Sequence, residues 1–245
     1  MYIGVDGCPD GWIAVRYDET FVDGDFYSDI NAVWDAFGAS AETILVDVPI
    51  GLRTDSARKR PCDDAARDRL APTRHASVFP VPIRPAVHAD SYETAKTIQE
   101  RRTDGSLGVQ AWHIADNIAE VDTLLRETAP EAIGTLREAH PEVCFWALND
   151  KSPTTHSKTG APASAFWERI DILETVDSAV LEHVRTVGRC LSAEVTNDDI
   201  LDAFVLALTA SPRTGPLQQL PKKWPSDDPG DPANLPMEMV YAAPR

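Results

Sequence analysis

The chain has few cysteines and lysines and no long apolar run. Its four cysteines are scattered without a Cys-x-x-Cys pair, which argues against a disulfide framework or zinc site and predicts reduced thiols in the cytoplasm. No apolar stretch approaches the roughly 20 residues that span a bilayer, so we expect no membrane partner. The first residues have a strand pattern and lack the basic and apolar regions of a secretory signal, so none is expected.

Lysine is scarce while aspartate is abundant. The 245 residues include 25 Asp and 14 Glu against 6 Lys and 17 Arg, and the net charge is −16. An acidic chain repels the phosphates of nucleic acid. An Asp-rich, Lys-poor surface is, however, typical of proteins from halophilic archaea, and we favour that interpretation. In molar salt the Debye length falls to roughly 3 Å, so the total charge says little about the ligand.

One segment runs against this acidity. Residues 50–84 contain eight Lys or Arg and four Asp, so this segment is net +4 while the remainder of the chain is −20. Such a segment, directly after Asp47, could hold phosphates beside a metal ion. The alternative is a solvated helix face with ion pairs four residues apart, for example Asp63 with Arg67.

The order of predicted elements defines an α/β class. We predict strands at 2–6, 11–18, 21–27, 43–48, 132–138 and 235–242, and helices at 29–37, 61–70, 91–102, 109–127, 164–174, 178–191 and 198–210. We expect a nearly structureless, Pro- and Asp-rich linker at 211–233, which either packs on the domain or forms a mobile lid. Three antiparallel strands followed by crossover-connected strands give a mixed sheet with flanking helices, which resembles the ribonuclease H-like fold. We expect one domain over 1–245, with a helical insertion at about 50–130.

Carboxylates interrupt three apolar segments. Asp6 follows the first strand pattern, Asp47 follows Ile44-Leu45-Val46, and Asp202 lies within an apolar helix that Thr196 or Asn197 caps. A buried unpaired charge costs several kcal/mol, roughly, so these acids need a partner, a proton or a metal. Asp199 lies three residues before Asp202 on the same helix face, although an acid there also stabilises a helix N-terminus. These four aspartates are the predicted ligands of one or two Mg²⁺ or Mn²⁺ ions.

Glu142 and His140 follow the fifth predicted strand. Glu142 could act as a ligand or general base, and His140 could shuttle a proton near neutral pH. The alternative is that Pro141 begins a helix and Glu142 lies in its first turn. Asp6, Asp47 and Asp202 complete the predicted catalytic set.

Three bases are candidates for contacting phosphate or substrate: Arg53, Arg74 and Lys158. Arginine is the better bidentate phosphate ligand, although lone bases are commonly solvated. On the helix at 109–127, Glu120 and Asp122 fall on the polar side and are interpreted as solvated.

Several sequence motifs carry a family resemblance. They are VDGCPDGW at 5–12, VDVPIGL at 46–52, SVFP at 77–80, HPE at 140–142 and DILDA at 199–203. Together they resemble the family catalogued as domain of unknown function 429, described as a predicted ribonuclease H-like nuclease. The resemblance covers nearly the whole chain and implies a metal-dependent nuclease acting on DNA or RNA.

Two other functions stay open. In a binding module, the acids would form a structural cation site or a hydrogen-bonded network without turnover. In a small-molecule phosphotransferase, the hairpin at 7–11 would bring backbone N–H groups to a phosphate, as in sugar kinases. Such kinases need two copies of the core, and the chain has room for one. The last predicted strand looks exposed and could pair with a second copy in a homodimer.

Overall fold

The computed structural model describes residues 1–56, 58–191 and 195–244. Its strands are β1 (Tyr2–Cys8), β2 (Gly11–Tyr17), β3 (Phe21–Tyr27), β4 (Thr43–Val46), β5 (Leu136–Glu138), β6 (Gln218–Leu220) and β7 (Met239–Tyr241). Its α-helices are α1 (Ile30–Phe37), α2 (Pro61–Leu70), α3 (Arg84–Val87), α4 (Tyr92–Arg102), α5 (Val109–His113), α6 (Ala115–Thr123), α7 (Pro141–Leu148), α8 (Ala163–Glu174), α9 (Val180–Cys190) and α10 (Asn197–Ala210).

A five-stranded mixed sheet organises the chain. The strand order is β3-β2-β1-β4-β5; β1, β2 and β3 pair antiparallel, while β4 pairs in parallel with both β1 and β5. This confirms the predicted α/β class with parallel and antiparallel strands and flanking helices. Helices α2 to α6 lie between β4 and β5 in the chain, where a helical insertion was predicted.

The central strand β1 lies unusually close to α10. Residues 200–210 of α10 are all buried, and a Cβ on Gly4 would fall 2.1 Å from the Ala203 carbonyl oxygen. Glycine in β1 is therefore what permits this approach, since a side chain there would collide with helix backbone. Thr196 caps α10 as predicted, in a capping box with Asp199.

Several predicted elements are shorter in the structure, including the strand predicted at 235–242, which contains only β7. The helix predicted at 109–127 breaks at Ile114 into α5 and α6, and ends in a π-helical turn over Leu124–Thr128. The strand predicted at 132–138 contains only β5, because a 3₁₀ turn begins at Pro130 and Gly134 has φ of +95°. Proline removes a ladder donor and glycine adopts the left-handed region readily, so both residues shorten the strand.

The segment 211–233, expected to be a nearly structureless linker, has one short strand as its regular element. It contains β6, which pairs antiparallel with β7 from Gln218 opposite Tyr241 to Leu220 opposite Met239. The three residues of β7 are buried rather than exposed. The argument for a homodimer through this strand therefore fails.

None of the helices in the described part of the chain combines the length and apolar character required to cross a bilayer.

Candidate functional site

A cleft of about 750 Å³ opens where the carboxyl ends of β1, β4 and β5 meet the N-terminal half of α10. Carboxyl ends of parallel strands share one sheet edge, so side chains that follow them converge. Eight of the nine site residues predicted from the sequence line this cleft: Asp6, Asp47, Arg74, His140, Glu142, Lys158, Asp199 and Asp202. Arg53 is the residue that does not.

The sheet contributes two of the aspartates. Asp6 belongs to β1, is 8% exposed, and accepts a hydrogen bond from the Gly7 N–H at 2.9 Å. Asp47 follows β4, and its backbone N–H donates to the Val5 carbonyl at 3.0 Å, which extends the parallel pairing by one residue. The Asp47 carboxylate makes no hydrogen bond to any residue that the structure describes. A backbone N–H therefore holds the Asp6 carboxylate, whereas Asp47 is held through its main chain alone, and both residues line the cleft.

Helix α10 contributes the other two. Asp199 Oδ2 accepts from the Thr196 N–H at 2.9 Å, so it has the helix-stabilising function that was the alternative to metal binding. Asp202 is 7% exposed and its Oδ2 accepts from Lys158 Nζ. Its Oδ1 is buried and has no hydrogen-bond partner within the described ranges. An unmet buried acceptor costs about 1–3 kcal/mol, which makes this atom an available ligand.

Burial and mutual repulsion raise the pKa values of these aspartates. Burial, then Asp47 and Asp202, raises the pKa of Asp6 well above its ordinary value. Burial raises the pKa of Asp202 to about 7, although Lys158 opposes the shift. Burial also raises the pKa of Asp47, and the nearby His140 and Lys158 oppose that shift. Close like charges in a dry site disfavour ionisation, and a cation would reverse that effect.

A second group of acids lies at the rim of the cleft. One ligand atom each from Cys62, Asp63 and Glu138 lies within 4.8 Å of the others, and all three residues are buried, so this cluster is compatible with a metal site. Among the described residues, this cluster is the group of three whose ligand atoms lie within 4.8 Å of one another. The ligand atoms of the four aspartates are more widely spaced.

Arg60 competes for that second site. Its guanidinium donates to both carboxylates, at 2.6 Å to Asp63 Oδ1 and at 2.6 and 2.7 Å to the two oxygens of Glu138. Glu138 Oε2 also accepts from the Ile50 N–H at 2.6 Å. Burial raises the pKa of Glu138 to about 7 despite Arg60, and that of the Cys62 thiol well above its ordinary value. A metal here would have to displace a buried guanidinium, so the aspartate cluster is the better candidate.

Glu142 and His140 line the cleft with their polar atoms already engaged. Glu142 Oε1 accepts from Arg169, which is fully buried, and Oε2 accepts from Thr154 Oγ1 at 2.6 Å. Despite burial, the charges of Arg169 and Lys158 hold the pKa of Glu142 below its ordinary value. His140 caps α7, with Nδ1 accepting from the Glu142 N–H at 3.1 Å. That bond assigns the ring proton to Nε2, which lies 3.3 Å from the Ser77 carbonyl.

The three predicted phosphate contacts have different surroundings. Lys158 projects into the cleft against Asp202. Arg74 also lines the cleft, and it contacts backbone carbonyls of Thr73 and His156 at 3.1 and 3.4 Å. Arg53 is 7% exposed and outside the cleft, with both terminal nitrogens bonded to the Asp228 carboxylate at 2.8 and 2.6 Å. A buried ion-paired arginine has no free donor fork for phosphate, so that prediction is not supported.

Acids near the C-terminus neutralise much of the basic segment 50–84. Besides the pair of Arg53 with Asp228, Arg84 donates to Asp231 at 2.9 and 2.6 Å, and Arg58 pairs with Asp227 at 3.0 Å. These pairs involve three of the eight bases, so less of the segment's positive charge is available at the surface.

The interpretation of Asp122 and Glu120 as solvated was wrong. Asp122 is buried and accepts from Arg84 at 3.1 Å and contacts His88 Nε2 at 2.9 Å. Glu120 Oε2 accepts from Trp12 Nε1 at 2.8 Å and from the Ile30 N–H at 3.0 Å. Both acids therefore connect α6 to its surroundings.

Sequence reasoning missed Arg60 and Arg169, the buried cations behind the cleft. Each is fully or almost fully buried and pairs with an acid far away in the chain: Arg60 with Glu138, and Arg169 with Glu142. Arg60 immediately precedes Pro61 at the start of α2, and Arg169 lies within α8. The apolar neighbours of Arg169, at Ala165 and Ile170, were the available signal.

Comparison with known proteins gives a family but no named relative. Residues 4–225 match the family described as protein of unknown function (DUF429), and the chain belongs to this family. No curated protein and no solved structure matches the chain.

Proposed function

We propose that this protein is a metal-dependent phosphodiesterase in which Asp6, Asp47 and Asp202 bind Mg²⁺ or Mn²⁺, with Asp199 at the rim. The observation that carries the proposal is the unpartnered Oδ1 of Asp202, buried beside other aspartates on one cleft. Hard divalent cations prefer carboxylate oxygens, and this donor set fits them.

The fold supports this assignment. An acid on β1, an acid after β4 and acids on a late helix match the arrangement that the ribonuclease H-like resemblance implies. The β3-β2-β1-β4-β5 order, with three antiparallel strands followed by parallel ones, is compatible with that fold. Within this family we therefore propose a ribonuclease H-like nuclease as the finer class.

The proposed reaction is hydrolysis. A water oxygen bonds to phosphorus, the phosphorus–ester oxygen bond breaks, and the leaving oxygen takes a proton, which yields a phosphate monoester and an alcohol. When bound, the cation supplies Lewis acidity toward phosphoryl oxygens and lowers the pKa of water. Lys158 and Arg74, both on the cleft, would hold the phosphate. Because their polar atoms are engaged, we assign Glu142 and His140 to positioning rather than proton transfer.

A small phosphodiester is a second candidate substrate beside DNA or RNA. Three arginines of the basic segment are paired with Asp227, Asp228 and Asp231, which reduces the positive surface that the segment offers to a long duplex. The cleft of about 750 Å³ is within the usual range for small-ligand sites, roughly 300–1,000 Å³. A single-stranded end or a nucleotide-sized diester would suit such a cleft.

The test is cleavage by the pure protein in high KCl with Mn²⁺ or Mg²⁺. Substrates are labelled single-stranded, duplex, hybrid and branched nucleic acids, together with bis-p-nitrophenyl phosphate. Asp202→Asn is purified in parallel, with Asp198→Asn as the matched control on the same helix. We expect cleavage by wild type and Asp198→Asn and loss of at least about 100-fold in Asp202→Asn, the scale of a lost metal ligand contribution.

Equal rates in wild type and Asp202→Asn would contradict the proposal, because the ligand would be dispensable. If no substrate is cleaved and Asp202→Asn binds Mn²⁺ as wild type does, the aspartates have a structural function instead.

A further inference from the structure

The ammonium group of Lys158 lies against Asp202, where the proposed metal ion would bind. It lies in the loop between α7 and α8, and its side chain is 23% exposed while its Asp202 partner is 10% exposed. The neighbouring residues at 159–161 are exposed. An ammonium that leaves an exposed loop to reach a buried carboxylate loses hydration, so the pairing must compensate for it.

The loop around Lys158 has few other connections. On its N-terminal side, Thr155 and His156 donate backbone N–H groups to Glu168 at 2.6 and 2.8 Å. In 157–161 the hydrogen bonds of described residues stay within the segment, apart from that of Lys158 to Asp202. Gly160, at φ of +79°, has open space around its Cα. The Lys158 side chain is thus the tether between this segment and the acidic cluster.

The charge of Lys158 acts on the whole cluster. It opposes the raised pKa of Asp6 and Asp47 and contributes to the lowered pKa of Glu142. In turn, Asp202 and Glu142 raise the pKa of Lys158 against its burial, so the ammonium stays charged. A divalent cation bound to the same carboxylates would repel that ammonium at short range.

We infer that Lys158 is a built-in counter-ion that competes with the metal, and that metal entry releases it to contact the substrate phosphate. The inference rests on the proposed function and adds a regulation of the same site. Metal affinity is set by displacement of the ammonium, and the released loop 157–161 is free to carry the ammonium toward an anion. The same residue therefore weakens metal binding and strengthens phosphate binding.

The experiment measures Mn²⁺ binding by titration calorimetry in wild type and three variants, without substrate. In Lys158→Met the competitor is absent, and we expect about tenfold tighter Mn²⁺ binding, the equivalent of one charge-assisted hydrogen bond. Lys151→Met, which removes an exposed lysine of the same loop, is the matched control and should bind as wild type does. Asp202→Asn tests the site itself. Circular dichroism confirms that each variant is folded.

A second measurement tests phosphate binding, for which Lys158→Met should have the opposite effect: it should weaken binding of the substrate. With saturating Mn²⁺, the KM for bis-p-nitrophenyl phosphate should rise about tenfold in Lys158→Met and stay unchanged in Lys151→Met. A merely structural lysine would not move the two affinities in opposite directions.

The outcomes separate the two proposals. If Asp202→Asn loses Mn²⁺ binding while Lys158→Met binds as weakly as wild type or more weakly, the counter-ion inference is overturned and the metal site stands. If wild type, Asp202→Asn and Lys158→Met all fail to bind Mn²⁺, both proposals are overturned.

Discussion

Asp202→Asn should change how stability depends on pH, and the direction follows from the buried position of this residue. The folded-state pKa is raised to about 7 from an ordinary value of 3.8. A group with a raised folded pKa contributes stability that is fully present below the unfolded pKa. That stability is lost as the pH rises through the folded pKa. Asparagine does not titrate, so the variant should lack the part of the pH-dependent loss that comes from residue 202.

The magnitude follows from the two pKa values. Between pH 5 and pH 8, the linkage relation gives a loss of about 3 kcal/mol in the metal-free wild type that Asp202→Asn should not share. The lost hydrogen bond from Lys158 lowers the variant's stability by a roughly constant amount instead. Mn²⁺ at 100 times its Kd should stabilise wild type by about 2.7 kcal/mol and leave the variant unchanged.

Urea unfolding at pH 5, 6, 7 and 8, with and without MnCl₂, is the assay. Asp198→Asn, in the first turn of α10, controls for the loss of one acid near a helix N-terminus and should follow wild type at every pH. Parallel stability curves for wild type and Asp202→Asn across this range would refute the reasoning, as would equal stabilisation of both by Mn²⁺.

Three further predictions concern packing, a buried ion pair and a thiol. Gly4→Ala should destabilise the fold by about 3 kcal/mol or more in urea unfolding, because its Cβ meets the α10 backbone, while Gly108→Ala should change little since its surroundings are open; equal effects would contradict the close packing. Arg169→Met should lower the free energy of unfolding by about 3–5 kcal/mol, because it leaves Glu142 buried without its cation; a loss below 1 kcal/mol would contradict this explanation. Cys190 is exposed and the other three thiols are buried, so a thiol reagent should label Cys190 first; simultaneous labelling of native protein would argue otherwise.

Most of the main sheet and its helices could be predicted because their signals are local. The apolar run before Asp47 and the cap at Thr196 each lie within one element, and the structure has β4 and α10 where those patterns indicate. The strand β6 had no such signal, since Gln218 and Gln219 are exposed and only its pairing with β7 defines it. Its partner lies about twenty residues further along the chain.

The site was predictable in its acids but not in its cations. An aspartate within an apolar run, such as Asp202, can be recognised from the sequence as a candidate site residue, because burying an unpaired carboxylate is costly. Whether an arginine is free depends on what the fold brings to it, and the sequence around Arg53 gives no sign of Asp228. The same limit applies to Glu142, whose partner Arg169 lies 27 residues away on another helix. Whether Arg53 and Glu142 can contact a ligand therefore depends on their long-range ion pairs and not on residue type alone.

The separation between the basic segment and its acidic partners also has a consequence for synthesis. Arg53 and Asp228 are 175 residues apart, and Arg84 and Asp231 are 147 apart. At about 5–20 residues per second, roughly 10–35 seconds pass on the ribosome between the first arginine and its carboxylate. Until Asp228 and Asp231 have been made, Arg53 and Arg84 lack these partners. The ion pairs that join residues 50–84 to the C-terminal acids can therefore form only after nearly the whole chain has been synthesised.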